Sequence, residues 1–151
     1  MVLQLLPLAH RLDPDIVWAD ISVHVVDDIG IRAAHLQYFG KNTTTDVISQ
    51  HYTPLPGEAG SCGEIIVNGQ QALRARKRPN WSPYRELALY VAHGIDHLHG
   101  AEDNSPKRYQ QMRRRELRWL RQIKNQGFSF DALKGSRSYK GSVHSAPKSV
   151  S

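Results

Sequence analysis

The chain has 151 residues, of which 40% are hydrophobic and 23% are charged, and this length is typical of one compact domain. No run approaches the ~18 apolar residues that span a bilayer, and the first residues lack the signals of a secretory leader. The single cysteine, Cys62, excludes an intramolecular disulfide and a thiolate zinc cluster. We therefore expect a globular protein of the reducing cytoplasm that has no membrane partner.

The formal net charge of +6 suits a polyanionic partner, most often nucleic acid. Much of this charge lies in residues 107–124, which carry eight cations against one acid, Glu116. A second basic cluster lies in residues 74–78. A run of charges is by itself more typical of a solvated helix face, so other features must decide whether RNA is bound.

The first half of the chain alternates between strand and helix signals. Segments rich in β-branched or alternating apolar residues predict three strands, at residues 21–26, 47–52 and 64–67. Residues 29–38 predict a helix that Gly40 ends in a left-handed conformation. A further helix is predicted over residues 69–78 with Asn68 as its cap. Strands interleaved with helices indicate an α+β domain with an α/β-like order of elements.

Two longer helices have clear start signals. Ser82-Pro83 places a capping residue before a proline at the first helical position, and this helix is predicted to run to His99. Its first half is apolar on every side, so we expect it to be buried in the core. Ser105-Pro106 starts another helix in the same way. The predicted apolar face of that helix consists of Tyr109, Met112, Trp119, Leu120 and Ile123.

From residue 134 onward, glycine, serine and lysine dominate and the hydrophobic periodicity is lost. Such a segment cannot bury enough apolar surface to order itself. We therefore predict a single metal-binding domain over residues 1–133, followed by a disordered tail over residues 134–151.

The strongest chemical signal lies in residues 93–103, at the end of the buried helix. His93 and His97 are four residues apart and share one helix face, where two imidazoles can bind one cation. Gly100 breaks the helix and lets the chain turn back, so that Asp103 can complete the set. Such a set leaves a fourth position for water, as catalytic zinc sites do. We predict one zinc ion at His93, His97 and Asp103, and other divalent metals also suit these ligands.

Other interpretations of this segment compete. Two histidines at this spacing are often an ordinary surface or core pair, and the glycine, the carboxylate and the buried helix favour a metal. Asp96 is a further catalytic candidate, as a base or as the partner of a ligand, and a purely structural role is its alternative. His99 is predicted not to bind the metal. The metalloprotease signature is absent, because Gly94 stands where that signature has glutamate.

The same segment resembles the metal-binding motif of the YbeY family of bacterial RNA-processing metalloproteins. The family pattern is H-G-x-L-H-L-x-G-Y-D-H, and residues 93–103 read H-G-I-D-H-L-H-G-A-E-D. Residues 45–49, T-D-V-I-S, are similar to the family's T-D-V-L-S, and residues 63–67, G-E-I-I-V, are similar to its G-D-I-V-I. The order and spacing of these segments also agree, and the chain is identified as a divergent member of the family.

The resemblance implies an α+β fold in which a small mixed sheet is flanked by helices and the buried helix carries the metal at the bottom of a basic cleft. It also implies a metal-dependent, single-strand-specific endoribonuclease that acts in small-subunit rRNA maturation and ribosome quality control. The expected partners are RNA and the ribosomal small subunit. The predicted RNA contacts are Lys41, Lys107, Arg108, Arg114, Arg115 and Arg118.

Several positions depart from the family pattern. Asp103 replaces the third histidine, Asp96 replaces a leucine, and Phe39 replaces an arginine that is a candidate for phosphate binding. Lys41 is the candidate substitute for that arginine. Few residues precede the first predicted strand, so the usual N-terminal strand and helix are expected to be shortened or rebuilt. These departures leave a second interpretation open, a catalytically weak or inactive RNA-binding ribosome assembly factor whose metal is structural or absent. A metal-dependent peptidase or amidohydrolase is a third, less favoured class.

Overall fold

The computed structural model describes residues 1–75, 79–135 and 138–141. Helices and strands are interleaved along the chain, and together they form the predicted α+β fold. In chain order the elements are α1 (Val2–Ala9), β1 (Trp18–Val26), α2 (Asp28–Phe39), β2 (Val47–Tyr52), β3 (Ser61–Asn68), α3 (Gly69–Arg74), α4 (Pro83–Leu98), α5 (Pro106–Asn125), a 3-10 turn (Phe130–Leu133) and β4 (Ser138–Gly141).

The strands form one mixed sheet in the order β2-β3-β1-β4. The two central strands, β1 and β3, are parallel and pair from Trp18 with Ser61 to Val26 with Asn68. The edge strands β2 and β4 run antiparallel to their neighbours. Because β1 and β3 are parallel, the chain has to cross back between them, and α2 and β2 make this connection. The expectation of a small mixed sheet is confirmed.

Successive residues of β3 point to opposite faces of the sheet, and both faces are covered by helices. One face, which includes Ile65 and Val67, belongs to a large apolar core that also takes in α1, α4 and α5. The other face carries a smaller cluster in which Ile48 and Ile66 pack with Ile31 of α2. The larger core therefore lies on the side of the sheet that carries α4.

α4 is the most enclosed helix, as its apolar first half predicts. Every residue from 87 to 96 is buried. Its close contact with the sheet depends on Gly94, because a Cβ atom added there would lie 2.8 Å from Cγ2 of Ile65. This glycine lets the turn that carries His93 approach β3 more closely than alanine would allow.

The helix boundaries largely follow the predicted signals. The hydroxyl groups of Ser82 and Ser105 accept hydrogen bonds from the backbone N–H groups of Arg85 and Arg108, at 3.1 and 3.2 Å. These two serines therefore cap α4 and α5, as predicted. Gly40 ends α2 in the left-handed conformation, with φ at 67°.

Two details of the helices differ from the sequence predictions. α3 ends at Arg74, whereas the sequence predicts a helix to residue 78, and residues 76–78 lie outside the described part of the chain. Tyr109 is 43% exposed in the first turn of α5, where its hydroxyl accepts a hydrogen bond from Arg113. The buried stripe starts at Met112 and includes Glu116, which the sequence did not assign to it. The residues before β1 form a single helix, α1, which packs into the large core.

β4 lies within the segment for which the sequence predicts disorder. Its four residues pair with β1 from Ile21 opposite Gly141 to His24 opposite Ser138. A free sheet edge offers unpaired backbone groups, so a short segment can add to it without an apolar face of its own. Of the rest of the predicted tail, residues 134–135 are described, and residues 136–137 and 142–151 lie outside the described part of the chain. No helix that the structure describes has both the length and the apolar composition needed to cross a bilayer.

Candidate metal centre

The last two turns of α4 bring two imidazoles to the same face of the helix. The ring of His93 is buried, whereas 27% of the His97 side chain is exposed. Beyond the helix, Gly100 adopts φ of 86°, a conformation that reverses the chain direction at little steric cost. The loop that follows carries Asp103 back over the imidazoles. The three predicted ligands are thus brought together by one helix end and one turn.

The three ligand atoms lie close enough to share one ion. Nε2 of His93 is 3.0 Å from Nε2 of His97, and Oδ2 of Asp103 is 3.5 Å from the first nitrogen and 3.7 Å from the second. Bonds of about 2.0–2.2 Å at tetrahedral angles would keep ligand atoms about 3.3–3.6 Å apart. The observed spacing therefore fits a small cation such as zinc with little adjustment.

The opposite ring nitrogens determine the tautomer of each histidine. Nδ1 of His97 lies 2.9 Å from the carbonyl oxygen of Ala101, which only accepts, so Nδ1 carries the proton. Nδ1 of His93 donates in the same way to Oε1 of Glu116 at 2.7 Å. In neutral rings both Nε2 atoms then carry no proton, and their lone pairs face each other beside the carboxylate of Asp103. Only a proton or a cation satisfies this arrangement.

Glu116 is the residue of the site that the sequence predictions missed. It is completely buried, and its second oxygen lies 3.4 Å from Nη1 of Arg113. Burial lowers the pKa of the His93 imidazole, but the hydrogen bond and charge of Glu116 raise that pKa above its ordinary value. The sequence contained a signal for its burial: Glu116 is the one acid in residues 107–124, and its spacing places it on the apolar face of α5. A buried carboxylate that orients a histidine is a recurrent support for metal ligands.

Asp96 lies beside the triad but faces another way. Its carboxylate is completely buried and accepts four hydrogen bonds between 2.8 and 3.2 Å from Nε and Nη2 of Arg115. Burial raises the pKa of Asp96, and the Arg115 guanidinium opposes that shift. Both carboxylate oxygens are engaged, which supports the structural alternative for Asp96 over a role as a base.

His99, which was predicted not to bind the metal, has partners of its own. Its Nδ1 donates to the carbonyl oxygen of Ile95 at 2.8 Å, and its Nε2 accepts from Nε1 of Trp18 at 3.1 Å. Burial lowers the pKa of His99, so the ring stays neutral. It links the end of α4 to β1.

The predicted RNA contacts divide into free and paired cations. Four of them are exposed and make no ion pair with another described residue: Lys41, Lys107, Arg114 and Arg118. Arg108 is exposed but pairs with Glu102, and Arg115 is partly buried and pairs with Asp96. Phe39, which stands where the family pattern has arginine, is 51% exposed at the end of α2.

The family comparison agrees with the geometry. The family model described as Endoribonuclease YbeY matches residues 2–124. The Endoribonuclease YbeY of Syntrophomonas wolfei is 32% identical over 76% of this chain and 77% of that protein. The protein of the same name from Protochlamydia amoebophila is 32% identical over 70% of this chain and 71% of its own length.

Two further similarities differ in coverage. An Endoribonuclease YbeY from Anaeromyxobacter is 32% identical over 68% of this chain, and the chain spans only 54% of that relative. A solution structure of a Thermotoga maritima protein covers 89% of this chain and 87% of its own, at 24% identity and a TM-score of 0.47. The family model and the relatives matched over most of their length decide the assignment: the chain belongs to the YbeY family, as a divergent member.

Proposed function

We propose that this chain is a metal-dependent endoribonuclease that cleaves single-stranded RNA. The observation that carries the proposal is the convergence of two imidazole lone pairs and one carboxylate oxygen within 3.0–3.7 Å of one another. The relatives matched over most of their length are named endoribonucleases, which supports a phosphodiester as the bond that is cleaved.

Each residue of the site has a distinct task in this proposal. His93, His97 and Asp103 would hold the ion, and in the neutral rings Glu116 and the Ala101 carbonyl, which accept from the Nδ1 atoms, leave both Nε2 lone pairs facing the ion position. A bound divalent cation supplies Lewis-acid activation for phosphodiester hydrolysis. Because 41% of the Asp103 side chain is exposed, the site opens to solvent on the loop side, where a substrate can reach it.

We propose zinc as the resident ion. Two imidazoles and one carboxylate are ligands that zinc accepts readily, and the buried position of His93 limits the number of waters on the inner side. The carboxylate makes the set harder than three histidines would be, so manganese or iron are the alternatives to test.

The biological setting is proposed on the family assignment and the charge of the chain. The net charge of +6 and the exposed cations of α5 suit the phosphate backbone of RNA. We propose that the substrate is ribosomal RNA, that cleavage serves small-subunit rRNA maturation and ribosome quality control, and that the ribosomal small subunit is the partner. The cytoplasm, where ribosomes assemble, is the proposed location.

An RNA-binding assembly factor with a structural metal is the rival function. Two observations favour it: the third ligand is the partly exposed Asp103, and Phe39 stands where the family pattern has an arginine. The rival predicts bound metal and bound RNA without cleavage, so assays of these three properties on one preparation separate the two functions.

The test compares the wild type with Asp103→Ala and, as matched control, Glu102→Ala in the same loop. Elemental analysis measures metal per chain, and a labelled single-stranded RNA, with its duplex as comparison, measures cleavage. We expect about one zinc per chain and cleavage of the single strand in the wild type and in Glu102→Ala, and loss of both in Asp103→Ala. Metal and bound RNA without cleavage in a clean wild-type preparation would establish the rival, and no metal after zinc is offered would overturn both the nuclease and the structural-metal factor.

A further inference from the structure

Arg115 differs from the other cations of α5 in how tightly it is held. Its Nε and Nη2 form a fork on the carboxylate of Asp96, with all four N···O distances between 2.8 and 3.2 Å. The carboxylate is completely buried, and only 23% of the Arg115 side chain is exposed. A bidentate pair of this kind restricts the guanidinium to a single orientation.

The third nitrogen of this guanidinium remains available. Nη1 of Arg115 makes no hydrogen bond to any residue that the structure describes, and it is not among the buried polar atoms that lack a partner. Among the described residues its donors are unused, and Arg115 lines the surface. The fork leaves Arg115 with one donor edge of fixed orientation, whereas Arg114 and Arg118 are exposed and make no ion pair with a described residue.

The position of Arg115 joins two surface grooves. One groove, of about 570 Å³, follows α5 and is lined by Gln111, Arg114, Arg115, Leu117, Arg118 and Arg121. The other, of about 350 Å³, borders the ligand loop at Gly100 and Ala101 and includes Gln111 and Arg115 again. Arg115 thus stands where the arginine-lined groove meets the loop that carries Asp103.

The chemistry of the longer groove favours a chain of phosphates. It is lined by four arginines, and among the described residues the only carboxylate paired to them is that of Asp96. Arg114 and Arg118 are one helical turn apart, about 6 Å along the axis, and this spacing is comparable to that of successive phosphates in an extended single strand. Contacts of this kind bind without reading sequence.

We propose that Asp96 is a positioning residue that holds Arg115 as a fixed phosphate anchor for single-stranded RNA, at the point where the α5 groove reaches the ligand loop. The inference rests on the proposed function, since it takes RNA as the ligand of this surface. A pre-oriented guanidinium loses less side-chain freedom on binding than a mobile one, which is the physical gain from the buried fork.

Because Asp96 is negatively charged, the anchor and simple electrostatics predict opposite changes in RNA affinity when it is removed. Asp96→Leu removes a negative charge, so non-specific electrostatics would tighten RNA binding, whereas loss of the anchor weakens it. The probe is a single-stranded RNA oligonucleotide, titrated at low temperature with the protein as purified, and a gel of each sample shows that the probe stays intact. We expect binding to weaken about two- to tenfold. The slope of log K against log salt should fall by about 0.7, the value of one single-strand phosphate contact.

Three controls separate positioning from a general structural effect. Asp15→Leu makes the same charge change at an exposed residue without an ion pair, and it should leave binding equal or slightly tighter. Arg115→Lys keeps the charge but loses the fork, and it should weaken binding as Asp96→Leu does. In the Arg115→Lys background, Asp96→Leu should have no further effect. Circular dichroism and zinc content of each variant establish that the fold and the metal centre are intact.

The outcomes distinguish this inference from the proposed function. Equal or tighter binding by Asp96→Leu, or wild-type binding by Arg115→Lys, overturns the anchor while RNA cleavage by the wild type stands. If Asp96→Leu fails to fold, the Arg115→Lys measurement decides alone. A wild-type protein that does not bind single-stranded RNA overturns both.

Discussion

The two faces of the sheet bury different kinds of group. On the face of α4 and α5, apolar residues enclose polar groups that are completely buried, among them Asp96 and Glu116. On the face of α2, the apolar cluster is small, and beside it Glu64 gathers the hydroxyl groups of Tyr38 and Tyr52, at 2.9 and 3.2 Å. Both faces therefore carry a carboxylate with hydrogen-bond donors, but only one of them is cut off from water.

This difference explains where a metal centre can form. A buried carboxylate holds its hydrogen-bond partner in one orientation, as Glu116 does for His93, because few competing waters reach it. The Glu64 side chain is 23% exposed and has two phenol donors, and hydrogen bonding with Tyr52 and Glu64 raises the pKa of Tyr38 above its ordinary value. Burial rather than the presence of a carboxylate separates the candidate site from an ordinary polar cluster.

The largest expected effect on stability compares neighbouring residues of β3 that face opposite sides. Ile65 is completely buried against Gly94 of α4, whereas Ile66 lies in the smaller cluster under α2. Truncation of a buried isoleucine to alanine costs about 2–5 kcal/mol, more where the surroundings cannot collapse. We expect about 4 kcal/mol for Ile65→Ala and about 2 kcal/mol for Ile66→Ala, measured by urea unfolding. Equal losses in the free energy of unfolding would contradict the conclusion that the α4 face contributes more to stability than the α2 face.

An intermediate effect is expected when each carboxylate becomes an amide. Glu116→Gln weakens the acceptor that orients His93, so zinc affinity should fall about 10- to 100-fold, as for other residues that support ligands. Glu64→Gln is the matched control on the opposite face and should leave zinc affinity unchanged. Competition with a chromogenic chelator measures both. Unchanged zinc affinity in Glu116→Gln would show that Glu116 does not support metal binding by His93.

The smallest effect concerns an exposed ion pair on the α2 side. Hydrogen bonds from Arg74 and Asn68 lower the pKa of Asp28 to about 2. Since the folded pKa lies below the unfolded one, the pair stabilises above pH about 4, and this contribution is lost as the pH falls toward 2. Arg74→Leu should return the pKa toward about 3.9, as followed by NMR titration of the carboxyl group. In contrast to the buried pair of Asp96 and Arg115, this pair lies at the surface. An ordinary pKa for Asp28 in the wild type would contradict the hydrogen bonds assigned to it.

Local signals predicted much of the fold. The starts of α4 and α5 at serine-proline pairs, the end of α2 at Gly40 and the bounds of β2 all depend on a few neighbouring residues, so they could be inferred directly. The spacing of His93 and His97 placed them on one helix face for the same reason. Strand order could not be inferred in this way, because pairing of β1 with β3 joins segments more than thirty residues apart.

The partners of the site could be predicted only in part. Glu116 and Arg115 are adjacent in the chain, and nothing local indicates that one supports His93 while the other holds Asp96. Both roles depend on the way α5 crosses α4, which is determined by packing of their apolar stripes. Tyr109 was assigned to that stripe because it is large and in register, but it lies in the exposed first turn of α5. The stripe instead includes the carboxylate of Glu116, which has a partner across the interface.

By itself, the sequence determined which residues could bind a cation, since helical spacing and one chain reversal are properties of a short segment. It also determined the basic face of α5 and the family to which the chain belongs. Only the tertiary structure decided which of two acids contacts a candidate metal ligand, and which arginine is held by an ion pair. The physical reason is that orientation in a low-dielectric interior depends on the groups brought against a side chain from distant elements.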